Sequence, residues 1–426
     1  MRIVISNIVT LNVGDAAILQ GTMAVLRRAF GDGVEILVFD KAAEAARRYY
    51  PWASFRQALF ARRPASGLRR ALHDRGWSHR VRRVDAWRFR AAARWLGRAP
   101  WVARLFVDGE EAADLEAYRS ADLVISSGGT YLVEKYGLEP PILDYELTLA
   151  LDRRLVFFTQ SLGPFRGSEH RRRLGRIFRS AAVLFVRDDP SVAHLLDLDV
   201  PAERIVRCAD AAFALAGDVR VRSPRNGPPR VAVSVRGWRH FRTVDPEEGE
   251  RRYLDAVAAL VERLVRSHGA RVTFVSTCQG MPEYWTDDTV AARAVVERLS
   301  GEVAGRVRVD TEARGPDAMI DTYAGFDLVV ATRMHAAILA LCAGTPVLPI
   351  AYEFKTRELF ERMGLSEWVT DIEEISPGTF ADLGEACLAR LEELGAAVRR
   401  EVPGLCESAF APAAVLRDRV GSAAGK

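Results

Sequence analysis

Residues 331–355 read ATRMHAAILALCAGTPVLPIAYEFK. The stretch opens where an apolar strand, Asp327-Leu-Val-Val-Ala331, runs out. Arg333 and His335 follow at once, then an apolar helical run from Ala336 to Ala343 that stops at Gly344. A second buried strand, Pro346-Val-Leu-Pro-Ile350, leads to Tyr352 and Lys355. Strand, charged turn, helix, glycine stop and strand together make one unit of an open α/β sheet. In such sheets this turn faces the crevice at the carboxyl ends of the strands, where ligands bind. A helix start there offers unpaired N–H groups and the positive end of a dipole. An arginine and a histidine in that turn point to an anionic substrate.

The same grammar extends in both directions. Upstream, Val231-Ala-Val-Ser-Val-Arg236 is a strand with an arginine at its end. It is followed by an amphipathic helix over Tyr253–Ser267 and a strand at Val272–Ser276. A helix over Asp288–Leu299, a short strand at Val307–Val309 and a helix over Pro316–Ala324 complete the approach. Trp285-Thr-Asp-Asp288 precedes a helix, where capping explains its acids. Downstream, helices are expected over Phe354–Met363 and Phe380–Arg400, with a last one over Ala409–Val420.

The amino-terminal half repeats the pattern. Residues 2–7 branch and alternate like a buried strand, the loop Ile8–Gly14 follows, and Asp15 stands as an N-cap before a helix reaching Phe30. Val34–Phe39 is the next strand. The glycines here do not form GxGxxG, so a nicotinamide fingerprint is absent. Asp15 is either a plain cap or a ligand-facing acid. Sheet pattern returns at Ala121–Thr130, where Gly128 and Gly129 make either a tight turn or a close approach to a ligand. Further strands are Arg154–Gln160 and Ala182–Arg187. The last ends in Arg187-Asp188, either an internal pair or a face towards a ligand, and Asp189-Pro190 reads as a helix start. Residues 41–119 do not read as sheet. They are helical in flavour, carry Trp52, Trp77, Trp87, Trp95 and Trp101, and between Arg62 and Arg104 hold many arginines but only Asp74 and Asp85 as acids. This is an arginine-rich solvated helical pair covering an edge, or a basic insertion that meets an anionic membrane surface or a lipid-linked acceptor.

At 426 residues the chain exceeds one ordinary core. The aperiodic Gly/Pro/Arg segment 216–230 reads as a linker. The expected division is a first Rossmann-like domain over 1–218 with a helical insertion at about 41–119, a second over 229–405, and a tail over 406–426 that packs back on the first. A hydrophobic content of 49% with 27% charged residues is that of a water-soluble protein. No run long and apolar enough to span a bilayer and no secretory cleavage pattern is found. The five cysteines are scattered, without metal-ligand spacing, and suit a reducing cytoplasm. The net charge is only +4, its basic side nearly all arginine. No nucleic-acid partner and no metal are expected. Neither a GxSxG nucleophile elbow nor an HExxH motif is present.

One ordered set of residues is specific. It comprises Asn12-Val-Gly-Asp15, Ser126-Ser-Gly-Gly-Thr130, Thr159-Gln-Ser-Leu-Gly-Pro164, Val186-Arg-Asp188 with Ser191, and Asp210-Ala-Ala-Phe213. It closes with Arg333-Met-His335, Gly344-Thr-Pro346 and Tyr352-Glu-Phe-Lys355. This set resembles the polysaccharide pyruvyl transferase family over about residues 3–363. The basic insertion and the tail lie outside the resemblance. It implies a fold like that of GT-B glycosyltransferases, with two Rossmann-like domains facing across a cleft. It also implies transfer of pyruvate from phosphoenolpyruvate to two hydroxyls of a sugar as a cyclic ketal, with no cofactor beyond that donor. Arg333, Met334 and His335 match the family's Arg-Leu-His donor-binding element, with Met for Leu. Arg236 looks like a further donor arginine, and Lys355 is near the same crevice edge, as an anion-steering or a surface lysine. The first domain, with Asp15, Gly128, Gly129 and Arg187, would supply the acceptor side.

The chemistry fits those residue types. Phosphoenolpyruvate carries a carboxylate and a phosphate, and arginine forks pair bidentately with planar oxyanions. Ketal formation protonates a vinyl carbon and deprotonates sugar hydroxyls, work suited to a group titrating near neutrality, so His335 is the candidate acid/base. Two other classes compete. One is a GT-B-type glycosyltransferase using a nucleotide sugar, and the other is a non-catalytic carbohydrate-binding protein. These residues do not set the acceptor sugar, its free, nucleotide-linked or lipid-linked form, or the oligomeric state.

Overall fold

Parallel strands covered by helices on both faces must be apolar on both faces, and the first strand shows it: β1 (Arg2–Ile8) is buried along its whole length after Arg2. The structure, a computed structural model, describes residues 1–62, 71, 74–217 and 227–421. It divides into two compact units. The first comprises Met1–Thr10, Gly21–Ala211 and Ser408–Lys426, the second Leu11–Gln20 and Ala212–Glu407.

In the first unit β1 is joined by β2 (Glu35–Asp40), β3 (Ser54–Gln57), β4 (Leu123–Ser126), β5 (Gly129–Leu132), β6 (Leu155–Leu162), β7 (Val183–Val186) and β8 (Ile205–Arg207). Their order is β3-β2-β1-β4-β6-β7-β8, with β5 beside β6, and the pairings are parallel. The order reverses direction between β1 and β4, so the carboxyl ends of those strands, Ser6-Asn7 and Ser126-Ser127, flank the switch point where α/β sheets bind ligands.

In the second unit lie β9 (Arg230–Ser234), β10 (Arg271–Phe274), β11 (Val307–Val309), β12 (Leu328–Ala331), β13 (Val347–Ala351) and β14 (Thr370–Asp371). The parallel order is β11-β10-β9-β12-β13-β14, and its switch point falls between β9 and β12. Register pairs Ser234 with Ala331, so the chain leaves both strands side by side, towards Arg236 on one and Arg333 on the other.

Several boundaries differ from expectation for physical reasons. The 41–119 segment is not all helical, because Ser54–Gln57 pairs with β2 as an edge strand. Four residues of mixed polarity are too few for a period-two signal. The described remainder of that segment is not a loose appendage. Helix Ser78–Leu96 buries Val81, Ala86, Phe89 and Ala92, and Arg88 ties its Asp85 at 2.7 Å to Glu111 of helix Gly109–Ser120 at 2.8 Å. The expected helix over Phe380–Arg400 is two, Pro377–Ala389 and Leu391–Phe410, parted at Arg390. The last stretch from Ser408 clusters with the first unit. There the Ser408 hydroxyl accepts from the Ala209 amide at 3.0 Å and Arg28 lies over the Phe410 ring at 4.7 Å. Of the 216–230 linker, residues 218–226 lie outside the described residues. Leu11–Gln20, expected in the first domain, belongs to the second unit, and this relocates Asp15.

Candidate functional site

The turn after β12 is built from the inside out. Thr332 is fully buried, and its hydroxyl pairs with that of Tyr253 at 2.8 Å. The same Tyr253 oxygen accepts from the Arg236 amide at 3.3 Å, so one phenol links the ends of β9 and β12. Arg333 then takes the cap position of helix Met334–Cys342 in extended backbone, which leaves its side chain at the helix start.

A carboxylate holds that side chain. Arg333 donates through Nε at 2.9 Å and Nη2 at 2.6 Å to the two oxygens of Asp288, whose side chain is fully buried. Asp288 also accepts from the Ser276 hydroxyl at 2.6 Å, and Ser276 pairs with Ser234 at 3.0 Å. Burial opposes the charge of Arg333, but the neighbouring Cys278 and the paired Asp288 carboxylate together outweigh it and raise the guanidinium pKa well above its ordinary value. Burial pushes the neighbouring Cys278 thiol up to about 12, so it is neutral at physiological pH.

Arg236 is held differently. Its guanidinium lies over the Tyr352 ring at 4.6 Å and the Trp238 ring at 5.1 Å, and these two rings touch at 4.6 Å. Cation–π contact of this kind contributes about 0.5–2 kcal/mol. Burial raises the Tyr352 hydroxyl pKa, and Arg236 partly reverses the effect. Lys355 is buried rather than a surface lysine, and it reaches Glu353 at 3.4 Å.

His335 lies half-buried in the first helical turn, with Met334 before it. Its closest constraint is Gly14. A Cβ on Gly14 would fall 2.5–2.7 Å from the Cβ, Cγ and Nδ1 of His335, so only glycine admits the imidazole there. Gly14 is placed by its own helix, which starts at Val13 rather than Ala16. The Asn12 side chain accepts from the Gly14 amide at 2.9 Å, and the Val13 amide donates to Thr277 at 3.0 Å. Asn12 is thus the cap, and Asp15 sits in the first turn, where its charge raises the pKa of Cys278 and Tyr284 after the larger effect of burial.

The structure therefore groups Arg236, Arg333, Met334, His335, Lys355 and Asp15 in the second unit. Asp15, expected in the first domain, clusters with the second unit instead. Gly128, Gly129 and Arg187 stay in the first unit. Gly129 opens β5 with a φ of 116°, which favours glycine whether or not a ligand is near. Arg187 pairs with Asp210, not with Asp188, and donates to Ser161 at 2.8 Å and Thr130 at 3.0 Å. Asp188, rather than Asp189, caps the following helix. Asp288 was explained as part of a cap, yet Asp287 takes that role towards the Thr289 amide, leaving Asp288 for Arg333. An acid made redundant by a neighbouring cap was the signal. Trp238, two residues beyond a strand-end arginine, was passed over as well. Among the described residues no group of three or more His, Cys, Asp or Glu side chains is arranged to hold a metal.

The sequence model for polysaccharide pyruvyl transferases matches residues 12–353, a span that contains Asp15, Arg236, Arg333, Met334 and His335 and ends two residues before Lys355. The chain belongs to the polysaccharide pyruvyl transferase family. The amylovoran biosynthesis protein AmsJ of Erwinia amylovora is 26% identical over 294 residues, covering 66% of this chain and 69% of AmsJ. Solved structures similar to this pyruvyl transferase family member include a protein from Listeria monocytogenes assigned as a UDP-N-acetylglucosamine 2-epimerase. It has a TM-score of 0.60 at 12% identity, over 99% of this chain and 97% of that one. HepE of Anabaena in complex with UDP-glucose gives a TM-score of 0.53 at 13% identity, over 99% and 98%. At such identities the likeness speaks for the fold alone, which is GT-B-like with two Rossmann-like domains.

Two outcomes follow for this family member. Asp288→Ala leaves the buried Arg333 charge uncompensated and costs about 3–5 kcal/mol, measured by urea denaturation. Gly14→Ala displaces the imidazole of His335. In NMR spectra of the seven histidine rings, the His335 resonances move while the others keep their positions.

Proposed function

We propose that this protein moves the pyruvyl group of phosphoenolpyruvate onto two hydroxyls of a glycan or glycoside, forming a cyclic ketal and releasing phosphate. The observation that carries the reading is the pairing of strand ends. Arg236 and Arg333 leave neighbouring strands, with His335 in the same turn. Asp288 occupies Nε and Nη2 of Arg333 and so aims its Nη1 edge. Arg236 offers a second cation at a separate point, so the carboxylate and the phosphate of the donor each meet a guanidinium. The first-turn amides of helix Met334–Cys342 add donors to an anion, and buried Lys355 adds positive charge at the edge.

In this reaction His335 delivers a proton to the vinyl carbon. A sugar hydroxyl attacks the cationic carbon next to it and loses its own proton. Phosphate then leaves, held by the arginines, and a second hydroxyl closes the ring; the first hydroxyl's proton restores His335 and the second's departs with the phosphate. No cofactor enters this scheme. The sugar acceptor is drawn from polysaccharide assembly. The scattered free cysteines fit a reducing cytoplasm, where phosphoenolpyruvate is at hand.

The basic helical segment supports a peripheral site of action. Between Ser78 and Leu105 the surface carries Trp87, Trp95, Trp101 and Leu105, with Trp101 72% exposed, among Arg83, Arg90, Arg94, Arg98 and Arg104. The single acid of that span, Asp85, is buried against Arg88. Exposed tryptophans among arginines fit the headgroup layer of an anionic membrane, and a lipid-linked acceptor would be presented there. No helix among the described residues is long and apolar enough to cross a membrane.

The chemistry is tested by phosphate release from phosphoenolpyruvate against a panel of glycosides, with mass analysis for the ketal. His335→Ala lowers kcat by about 100-fold or more with an unchanged melting temperature, and Arg236→Lys raises the KM for phosphoenolpyruvate because an ammonium does not replace a stacked fork. Stabilisation by a nucleotide sugar and not by phosphoenolpyruvate would overturn the reading. The surface is tested by sedimentation with vesicles. Binding to vesicles containing phosphatidylglycerol, absent with phosphatidylcholine alone and weakened in a Trp87→Ser/Trp101→Ser double variant, is the expected result.

A further inference from the structure

The first unit carries a mostly apolar cleft with a few polar groups at its own switch point, which none of the residues discussed so far explains. It is tight, about 350 Å³ of empty space including its open mouth, and is bounded by Asn7, Lys41, Phe60, Tyr118, Pro141 and Asp144. Asn7 stands at the end of β1, where the register with β2 slips between Ile5 and Ile8. Its φ of 59° is a left-handed value that asparagine tolerates and that turns its amide out of the strand pattern.

Asp144 is the anomaly in the wall. It is 7% exposed. One oxygen accepts from the Tyr118 hydroxyl at 2.7 Å, while the other, Oδ2, is buried with no hydrogen-bond partner. A buried carboxylate oxygen left unmatched is costly and calls for an explanation. Burial raises the Asp144 pKa to about 6, with the Tyr118 and nearby Ser6 hydroxyls holding it from going higher. At neutral pH the group is therefore mostly an anion with spare acceptor capacity. Asn7 and Lys41 line the same cleft, the Lys41 ammonium lying over the Tyr131 ring at 5.7 Å, and Phe60 and Pro141 supply apolar surface.

We propose that this cleft is a binding subsite for the hydroxyl-bearing edge of a neutral sugar. Asp144 Oδ2 accepts a hydrogen bond from one sugar hydroxyl, Asn7 and Lys41 donate to neighbouring oxygens, and the C–H face of the ring rests on Phe60 and Pro141. Tyr118 already occupies Oδ1, so the carboxylate reads a single hydroxyl, in a fixed direction. An anionic ligand is disfavoured by Asp144, and an apolar one would leave Oδ2 unmatched. The identification of this sugar as the pyruvyl acceptor rests on the function proposed above. The subsite itself does not.

The test measures sugar binding directly, without donor. Saturation-transfer NMR is recorded with the methyl glycosides of galactose, glucose and mannose on the full chain. At least one is expected to bind, and its dissociation constant is expected to rise at least tenfold in Asp144→Asn and in Asn7→Gly, which keeps the left-handed backbone. Lys41→Gln, an exposed change, weakens it several-fold, and Ala61→Trp fills the cleft and abolishes it. Phosphoenolpyruvate affinity, read by thermal shift, stays as in the unaltered protein. No binding of any glycoside, or unaltered binding in folded Asn7→Gly and Lys41→Gln variants, overturns the subsite. Glycoside binding that depends on Asp144, with no phosphate released from phosphoenolpyruvate, supports the subsite and removes the pyruvyl transfer reading instead.

Discussion

The buried pair between Arg333 and Asp288 is the constraint on which the second unit's site depends. Placing either charge alone in that interior would cost several kcal/mol, and even a matched pair often does no better than apolar packing. The pair's contribution is therefore direction more than stability. Two hydrogen bonds lock the plane of the guanidinium, and Ser276 and Ser234 lock the carboxylate beneath it. The helix that begins at Met334 inherits that geometry, and His335 sits one residue further on.

Both units place their chemistry at the same topological position. In each sheet the order of strands reverses beside the first strand, and the loops that leave there cannot cover one another. The second unit fills this position with cations and a histidine, the first with an amide, a carboxylate and hydroxyls. In the proposed reaction the one would take the small anionic donor and the other an uncharged polyol. That division would follow from the side chains carried by the strand ends and, in the first unit, by the neighbouring helices that hold Tyr118 and Asp144.

Much of this was legible in the sequence. Strand, charged turn and glycine-stopped helix are local patterns, and the turn holding Arg333 and His335 declares itself within ten residues. What escaped notice depends on distance along the chain. Asp288 meets an arginine 45 residues away, and a capping explanation was at hand. Gly14 is demanded by the imidazole of His335, an approach that only the folded chain creates. Asp15 follows directly on the first strand, so sequence order assigned it to the first domain, although the segment 11–20 clusters with the second unit. Arg187 looked like a partner for its neighbour Asp188, yet Asp210 reaches it across the sheet.

The aromatic seat of Arg236 has a kinetic meaning. A guanidinium faced by a carboxylate is nearly neutral when viewed from afar, whereas one resting on Trp238 and Tyr352 keeps its whole charge. At physiological salt that charge is felt over about 8 Å. In the proposed reaction the two arginines thus act at different moments. Arg236 draws the multiply charged anion in from solution, with an ionic-strength dependence of its own, and Arg333, already neutralised, fixes the anion's orientation only once the two are in contact.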